Sequence, residues 1–126
     1  MNIAVWIVSG ILAVLYLAVG MVKLVVPKRK MAANPNLAFA AGLPSALILF
    51  IGLVEVLGAI GVIVPWLVGV AAVLTPLAAA GLVLLQIGAI VFHGQRREFK
   101  QWPVNFVLAG LAAFVAYERF LELAAQ

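Results

Sequence analysis

Four apolar runs, each close to 20 residues long, decide what this chain can become: Ile3 to Val26, Ser45 to Val64, Gly69 to Phe92 and Val104 to Phe120. A helix rising 1.5 Å per residue needs about 20 residues to cross the roughly 30 Å of hydrocarbon in a bilayer. Backbone polar groups find no water there, so only helices and closed barrels can span it. The runs are continuously apolar instead of alternating, which selects helices over barrel strands. The expected fold is an all-α membrane protein, a single four-transmembrane-helix bundle over residues 1–126, with the fourth helix the shortest. The first run lacks a basic leader and is too long for the apolar part of a typical signal peptide, so it reads as a retained helix.

Composition argues against a soluble alternative. Hydrophobic residues make up 67% of the 126 and charged residues 10%, where a soluble domain is about half apolar and a quarter charged. The net charge of +4 would fit nucleic acid, but the basic residues sit in short clusters between apolar runs. Anionic lipid headgroups are the better partner, at roughly 1 kcal/mol per Lys or Arg near the surface. The absence of cysteine excludes disulfide exchange, thiolate metal sites and iron–sulfur clusters held by this chain alone. A lone histidine supports neither haem nor a bound metal, unless a homo-oligomer brings symmetry-related histidines together.

Loop charges set an orientation. Lys28, Arg29 and Lys30 flank one connection and Arg96, Arg97 and Lys100 another, against Arg119 alone on the opposite side. Both basic connections are therefore expected in the cytoplasm and both termini outside, with Pro65-Trp66-Leu67-Val68 a tight external connection. Trp6, Trp66 and Tyr117 then fall at the outer interface and Trp102 at the inner one. The long connection from Pro27 to Pro44 holds Asn34-Pro35, an apolar stretch Leu37 to Ala41, and then Gly42. Proline at the start and glycine at the end predict one short interfacial or re-entrant helix between helices 1 and 2.

Ionisable groups at bilayer depth cost about 2.5–3.5 kcal/mol each, so they are expected to face a partner or a cavity. Counted from the inner ends, Asn105 lies about 3 Å deep, Lys23 about 6 Å, Gln86 about 9 Å and Glu55 about 15 Å, with His93 at the boundary. Residues near multiples of seven apart share a helix face. That spacing aligns Ser9, Tyr16, Gly20 and Lys23 on the first helix, and Gly52, Glu55 and Ala59 on the second. Thr75, Ala79, Gln86 and His93 align on the third, and Asn105 with Ala109, Ala112 and Ala116 on the fourth. Small residues on these faces let backbones approach. Cβ bonds tilt toward each helix N-terminus, so on antiparallel helices Lys23 and Glu55 lean toward one another. The candidate pocket is thus Lys23, Glu55, Gln86, His93, Asn105 and Tyr16.

Each residue also has a plainer reading. Lys23 can snorkel to headgroups, Glu55 can be interhelical glue, and Gln86 and Asn105 can be structural hydrogen bonders. His93 can be an interfacial loop residue, and Tyr16 is best read as a core aromatic. Arg96-Arg97-Glu98 reads as a solvated loop, and Glu118, Arg119 and Glu122 as a solvated helix end.

Gly20-x-x-Lys23-Leu24 closing the first helix and Gly52-x-x-Glu55-x-x-Gly58 in the second resemble the DoxX-like membrane proteins, as do Ala89 to His93 closing the third helix and the four-helix plan. The resemblance covers about Ile3 to Phe120. It implies a small multi-pass protein of the bacterial inner membrane. Relatives of this type include subunits of thiosulfate–quinone oxidoreductases and membrane partners in redox-stress complexes. The function it suggests is a redox-associated subunit whose inner-leaflet pocket binds a quinone or another amphipathic small molecule, alongside protein partners. Two alternatives stand beside it: a small proton-coupled transporter using the buried glutamate, and an assembly or scaffold subunit without chemistry of its own.

Overall fold

The computed structural model describes residues 3–34 and 38–126. Four helices among them are long and apolar enough to cross a membrane. Helix α1 runs Ile3–Val25, α3 Ser45–Gly61, α5 Leu74–Gln95 and α6 Trp102–Ala124, with short helices α2 (Lys28–Ala33) and α4 (Val64–Val68) between them. Successive long helices run in opposite directions. α1 packs chiefly on α3 and α5 on α6, and the contacts α1 with α6 and α3 with α5 close the bundle.

The faces predicted from spacing are the buried ones. α1 buries Ser9, Tyr16 and Gly20, α3 buries Gly52, Glu55 and Ala59, and α5 buries Thr75, Ala79, Gln86 and His93. Large apolar side chains elsewhere, such as Phe50, Leu57 and Leu84, point out of the bundle as a lipid-facing surface requires. Lipid is as apolar as leucine, so helix association rests on close packing rather than on hydrophobic burial. Small residues provide that packing at the end of the bundle away from the basic connections. A methyl at Gly58 would meet the Leu82 side chain at 2.6 Å and one at Gly61 the Cβ of Ala78 at 2.8 Å. The Thr75 hydroxyl donates to the Gly61 carbonyl at 2.9 Å. Leu12, Tyr16, Ala59, Leu82 and Val115 belong to the apolar core, which Leu108 extends toward the basic end.

Several boundaries differ from expectation. Pro65 to Val68 is a helical turn rather than a tight connection, because Pro65 stands in the first turn, where its fixed φ suits a helix. Gly69, at φ 72°, ends that turn in the left-handed conformation, so α5 begins at Leu74 and not at Gly69. The fourth helix is not the shortest. Pro103 in its first turn starts it earlier than expected, and at 23 residues it equals α1 in length. The long connection carries the expected short helix between helices 1 and 2, as α2 at its beginning, and then a 3-10 turn over Ala38–Gly42 ending at the expected glycine. The expected start at Pro35, with Asn36 and Leu37, lies outside the described residues. Met31 and Ala40, one from each piece, pack with Ile48 of α3 into a second small core at the basic end.

Candidate functional site

The site is built on the crossing of α1 and α3. Gly20 and Gly52 face each other there, and each seats the other motif's charged residue. A methyl at Gly52 would lie 2.8 Å from Cβ of Lys23, and one at Gly20 would lie 3.1 Å from Cβ of Glu55. Both would also stand 2.9 Å from the opposing glycine's carbonyl oxygen, so only residues lacking a side chain permit this approach. The spacing Gly-x-x-Lys on one helix and Gly-x-x-Glu on its antiparallel neighbour thus places the two charges side by side. Lys23 Nζ lies 2.8 Å from Glu55 Oε1, with 14% and 5% of the two side chains exposed.

Beside this pair, toward the basic end, the two helix pairs separate around a cavity of about 550 Å³. Lys23, Glu55, Gln86, His93 and Asn105 all line it, contributed by α1, α3, α5 and α6. The remaining wall is largely apolar, including Val22, Leu47, Ile51, Phe92 and Leu108. Met31 and Leu43, from the connection between α1 and α3, close the basic end. Two of the polar groups stand out energetically. Gln86 Oε1 and Asn105 Nδ2 are buried and make no hydrogen bond to any described residue. Leaving such a group unsatisfied costs about 1–3 kcal/mol.

α3 and α5 touch at Gly58–Leu82 and Gly61–Ala78. Toward the basic end both helices line the cavity, and Leu47 on α3 and Leu84 and Gly88 on α5 are exposed residues of its wall.

Tyr16 falls outside the cavity wall. It is fully buried in the apolar core, with its hydroxyl on the side of Gln86 and Glu55. His93 is no loop residue: it occupies the last turn of α5 and is 7% exposed. Its Nδ1 lies 3.0 Å from Glu98 Oε1, and Arg96 Nε donates to the same oxygen at 3.1 Å. Arg96 also stacks on the Phe92 ring at 5.4 Å and packs against Gly42 of the 3-10 turn, tying that turn to the end of α5. Arg96 and Glu98 are therefore not simply solvated. Burial raises the Glu98 carboxyl, but the hydrogen bonds from His93 and Arg96 outweigh it and hold the group below the ordinary carboxylate range. Sequence reasoning missed this partner because Glu98 lies in a bend that turns the chain back on the helix end, where Arg97 takes φ 57° and the Glu98 amide donates to the His93 carbonyl. Trp102 closes the same corner, donating its indole N–H to the Ile90 carbonyl at 3.0 Å.

The largest omission lies at the other end. Arg119, expected in a solvated helix end, is fully buried. Its guanidinium sits 4.7 Å from the Trp6 ring and 4.4 Å from the Trp66 ring and donates to Glu122 at 3.0 Å. This half of the bundle thus also buries a charged side chain. The signal was present in the sequence, since Trp6 and Trp66 were already expected at this end, but nothing in the spacing showed that both would face α6.

Among the described residues, no group of three or more His, Asp or Glu side chains gathers to hold a metal. No curated protein and no solved structure matches the chain. The sequence model of the DoxX-like family matches residues 7–115, a stretch that contains both glycine motifs, the ion pair they seat and every polar residue of the cavity wall. This multi-pass membrane protein belongs to the DoxX-like family.

Proposed function

We propose that the protein is a redox-associated membrane subunit whose cavity binds a quinone or another amphipathic small molecule drawn from the bilayer. The observation that carries this reading is the pair of buried, unpartnered groups Gln86 Oε1 and Asn105 Nδ2 in an otherwise largely apolar cavity. A ring bearing both a donor and an acceptor, such as a hydroxyl, would satisfy Gln86 Oε1 and Asn105 Nδ2 and remove their desolvation cost, while an apolar tail would lie against Leu47, Ile51 and Phe92. The volume of about 550 Å³ falls within the roughly 300–1,000 Å³ usual for small-molecule sites. The exposed wall residues Leu47, Leu84 and Gly88 favour a ligand that arrives through lipid. Lys23 and Glu55, being paired, supply fixed charge beside the ring and are positioned to exchange a proton with it. Protein partners of a redox complex would dock on the same subunit. The basic connections face the cytoplasmic leaflet of a bacterial inner membrane and its anionic headgroups, on the loop-charge asymmetry.

Native mass spectrometry of the full chain in nanodiscs tests the proposal. A retained isoprenoid quinone, lost in Gln86→Leu and Asn105→Leu, is expected. Retention of phospholipid alone, with no binding of added decylubiquinone or decylubiquinol, would refute it. Substrate-dependent proton flux in liposomes would instead favour a transporter.

A further inference from the structure

We infer that a second, smaller cavity at the basic end is a wet vestibule through which water reaches the Lys23–Glu55 pair, and that Met31 is the side chain parting it from the ligand cavity. The vestibule gives the pair a source of protons, and it rests on the proposed function only for the use made of them.

The vestibule lies where the end of α1, the start of α2 and the start of α3 meet. Its volume is about 220 Å³, and its wall follows the chain from Lys23 to Lys28 and adds Met31, Ser45, Ile48 and Leu49. Of the three basic residues that open α2, Lys28 lines this space and is half-buried, whereas Arg29 and Lys30 are exposed and line neither cavity. Ser45 opens α3 behind Pro44, which has no side-chain cap for the first-turn N–H groups, so those groups are left to water. A cavity holds water where it is roomy and polar, and this one is well above the roughly 10–15 Å³ that a single molecule needs.

Lys23 and Met31 line the vestibule and the ligand cavity alike. These two side chains therefore stand between the spaces, and they differ in freedom. Lys23 is held on Glu55 at 2.8 Å, with 14% of its side chain exposed. It borders the vestibule without leaving that partner, so a proton given up by the pair on the ligand side is restored from water on the vestibule side. Met31 is 1% exposed and packs with Ala40 and Ile48. It comes from α2, outside the four long helices, and its unbranched thioether turns about three bonds. Met31 can thus swing aside while those helices stay in place. In its observed position it shuts vestibule water out of the largely apolar ligand cavity.

The chain contains no cysteine, so single introduced thiols report access in the full chain in nanodiscs. Three positions divide the question: Ile48→Cys in the vestibule wall, Ile51→Cys in the ligand-cavity wall and Ala59→Cys in the apolar core. Ile48 and Ala59 are equally enclosed, at 2% and 3% exposure. A charged, water-soluble methanethiosulfonate should nevertheless modify Ile48→Cys about tenfold or more faster, because a thiol in the dry core reacts only through local opening. With Met31 in place, Ile51→Cys should react as slowly as Ala59→Cys. Met31→Ala should raise the Ile51→Cys rate by about tenfold and leave Ala59→Cys unchanged, and Ser45→Trp, which fills the vestibule, should reverse that gain. Equal rates for Ile48→Cys and Ala59→Cys would overturn the vestibule, and that comparison needs no Met31 variant. An Ile51→Cys rate already fast with Met31 present, unchanged by Met31→Ala, or rising together with Ala59→Cys would overturn the gate. Quinone retention is read separately by mass spectrometry, so failure of the ligand reading would leave these rates as they stand.

Discussion

Replacing Lys23 with Met and Glu55 with Gln, singly and together, measures how far the ion pair at the α1–α3 crossing acts as a unit. At the observed separation of 2.8 Å, two unit charges attract by about 6 kcal/mol with an effective dielectric near 20. Several kcal/mol per ion of desolvation oppose this, so the pair gains little over a neutral replacement, whereas breaking it is costly. Lys23→Met strands the Glu55 carboxylate, whose side chain is only 5% exposed, and should destabilise the bundle by about 3–5 kcal/mol. Glu55→Gln is milder, about 1–2 kcal/mol, because Lys23 stands in the last turn of α1 and its stem can extend to the headgroups. The double variant should recover to within about 1–2 kcal/mol of wild type, which makes the coupling about 3–5 kcal/mol. Reversible unfolding in mixed micelles, followed by helical circular dichroism for all four proteins, gives this number. A coupling indistinguishable from zero would refute the pairing, leaving Glu55 as interhelical glue and Lys23 as a headgroup anchor.

The same assay separates the seating glycines from ordinary ones. Gly20→Ala or Gly52→Ala should destabilise, since about 1–3 kcal/mol of overpacking against a fixed backbone exceeds a helix-propensity gain of up to about 1 kcal/mol. Gly10→Ala, with nothing within 4 Å, should be neutral or stabilising. A stabilised Gly52→Ala would show that the crossing is looser than described. Because the Glu98 carboxyl is lowered from 4.5, its contribution to stability is complete above that value and is lost as the pH falls through the lowered one. The melting difference between wild type and Glu98→Gln should accordingly be constant at neutral pH and shrink only in acid. At the opposite end, Arg119→Lys keeps the charge but loses the planar stack between Trp6 and Trp66, at about 2–3 kcal/mol. Tryptophan emission should shift with it, and unchanged emission and stability would place the guanidinium outside the stack.

The features legible in the sequence are those that depend on one helix at a time. Apolar length found the four spans, seven-residue spacing found their buried faces, and the tilt of Cβ toward each N-terminus brought Lys23 to Glu55. What escaped depends on where the chain turns. Pro65 was read as a loop signal, yet a proline in a helix's first turn is equally a start signal, and the α4 turn it opens carries Trp66. Without that turn Arg119 had no visible partner, so α6 was ended early and its last charged residues were assigned to water. Glu98 was misjudged for the same reason, because its contact with His93 exists only through the reversal at Arg97.

These two omissions bear on how the bundle divides its work. At the end away from the basic connections, Arg119 is stacked between two indoles and paired with Glu122, and α3 and α5 are packed through Gly58 and Gly61. With no hydrophobic force between helices in lipid, such contacts hold that end together. The cavity lies toward the basic end, lined by residues of α1, α3, α5 and α6. The polar groups there are of two kinds: Lys23 and Glu55 satisfy each other, while Gln86 Oε1 and Asn105 Nδ2 are satisfied by no described residue. A bundle clamped at one end can hold those groups apart instead of collapsing to pair them. On this argument, loosening the Arg119 clamp should alter ligand binding at the distant cavity as well as stability.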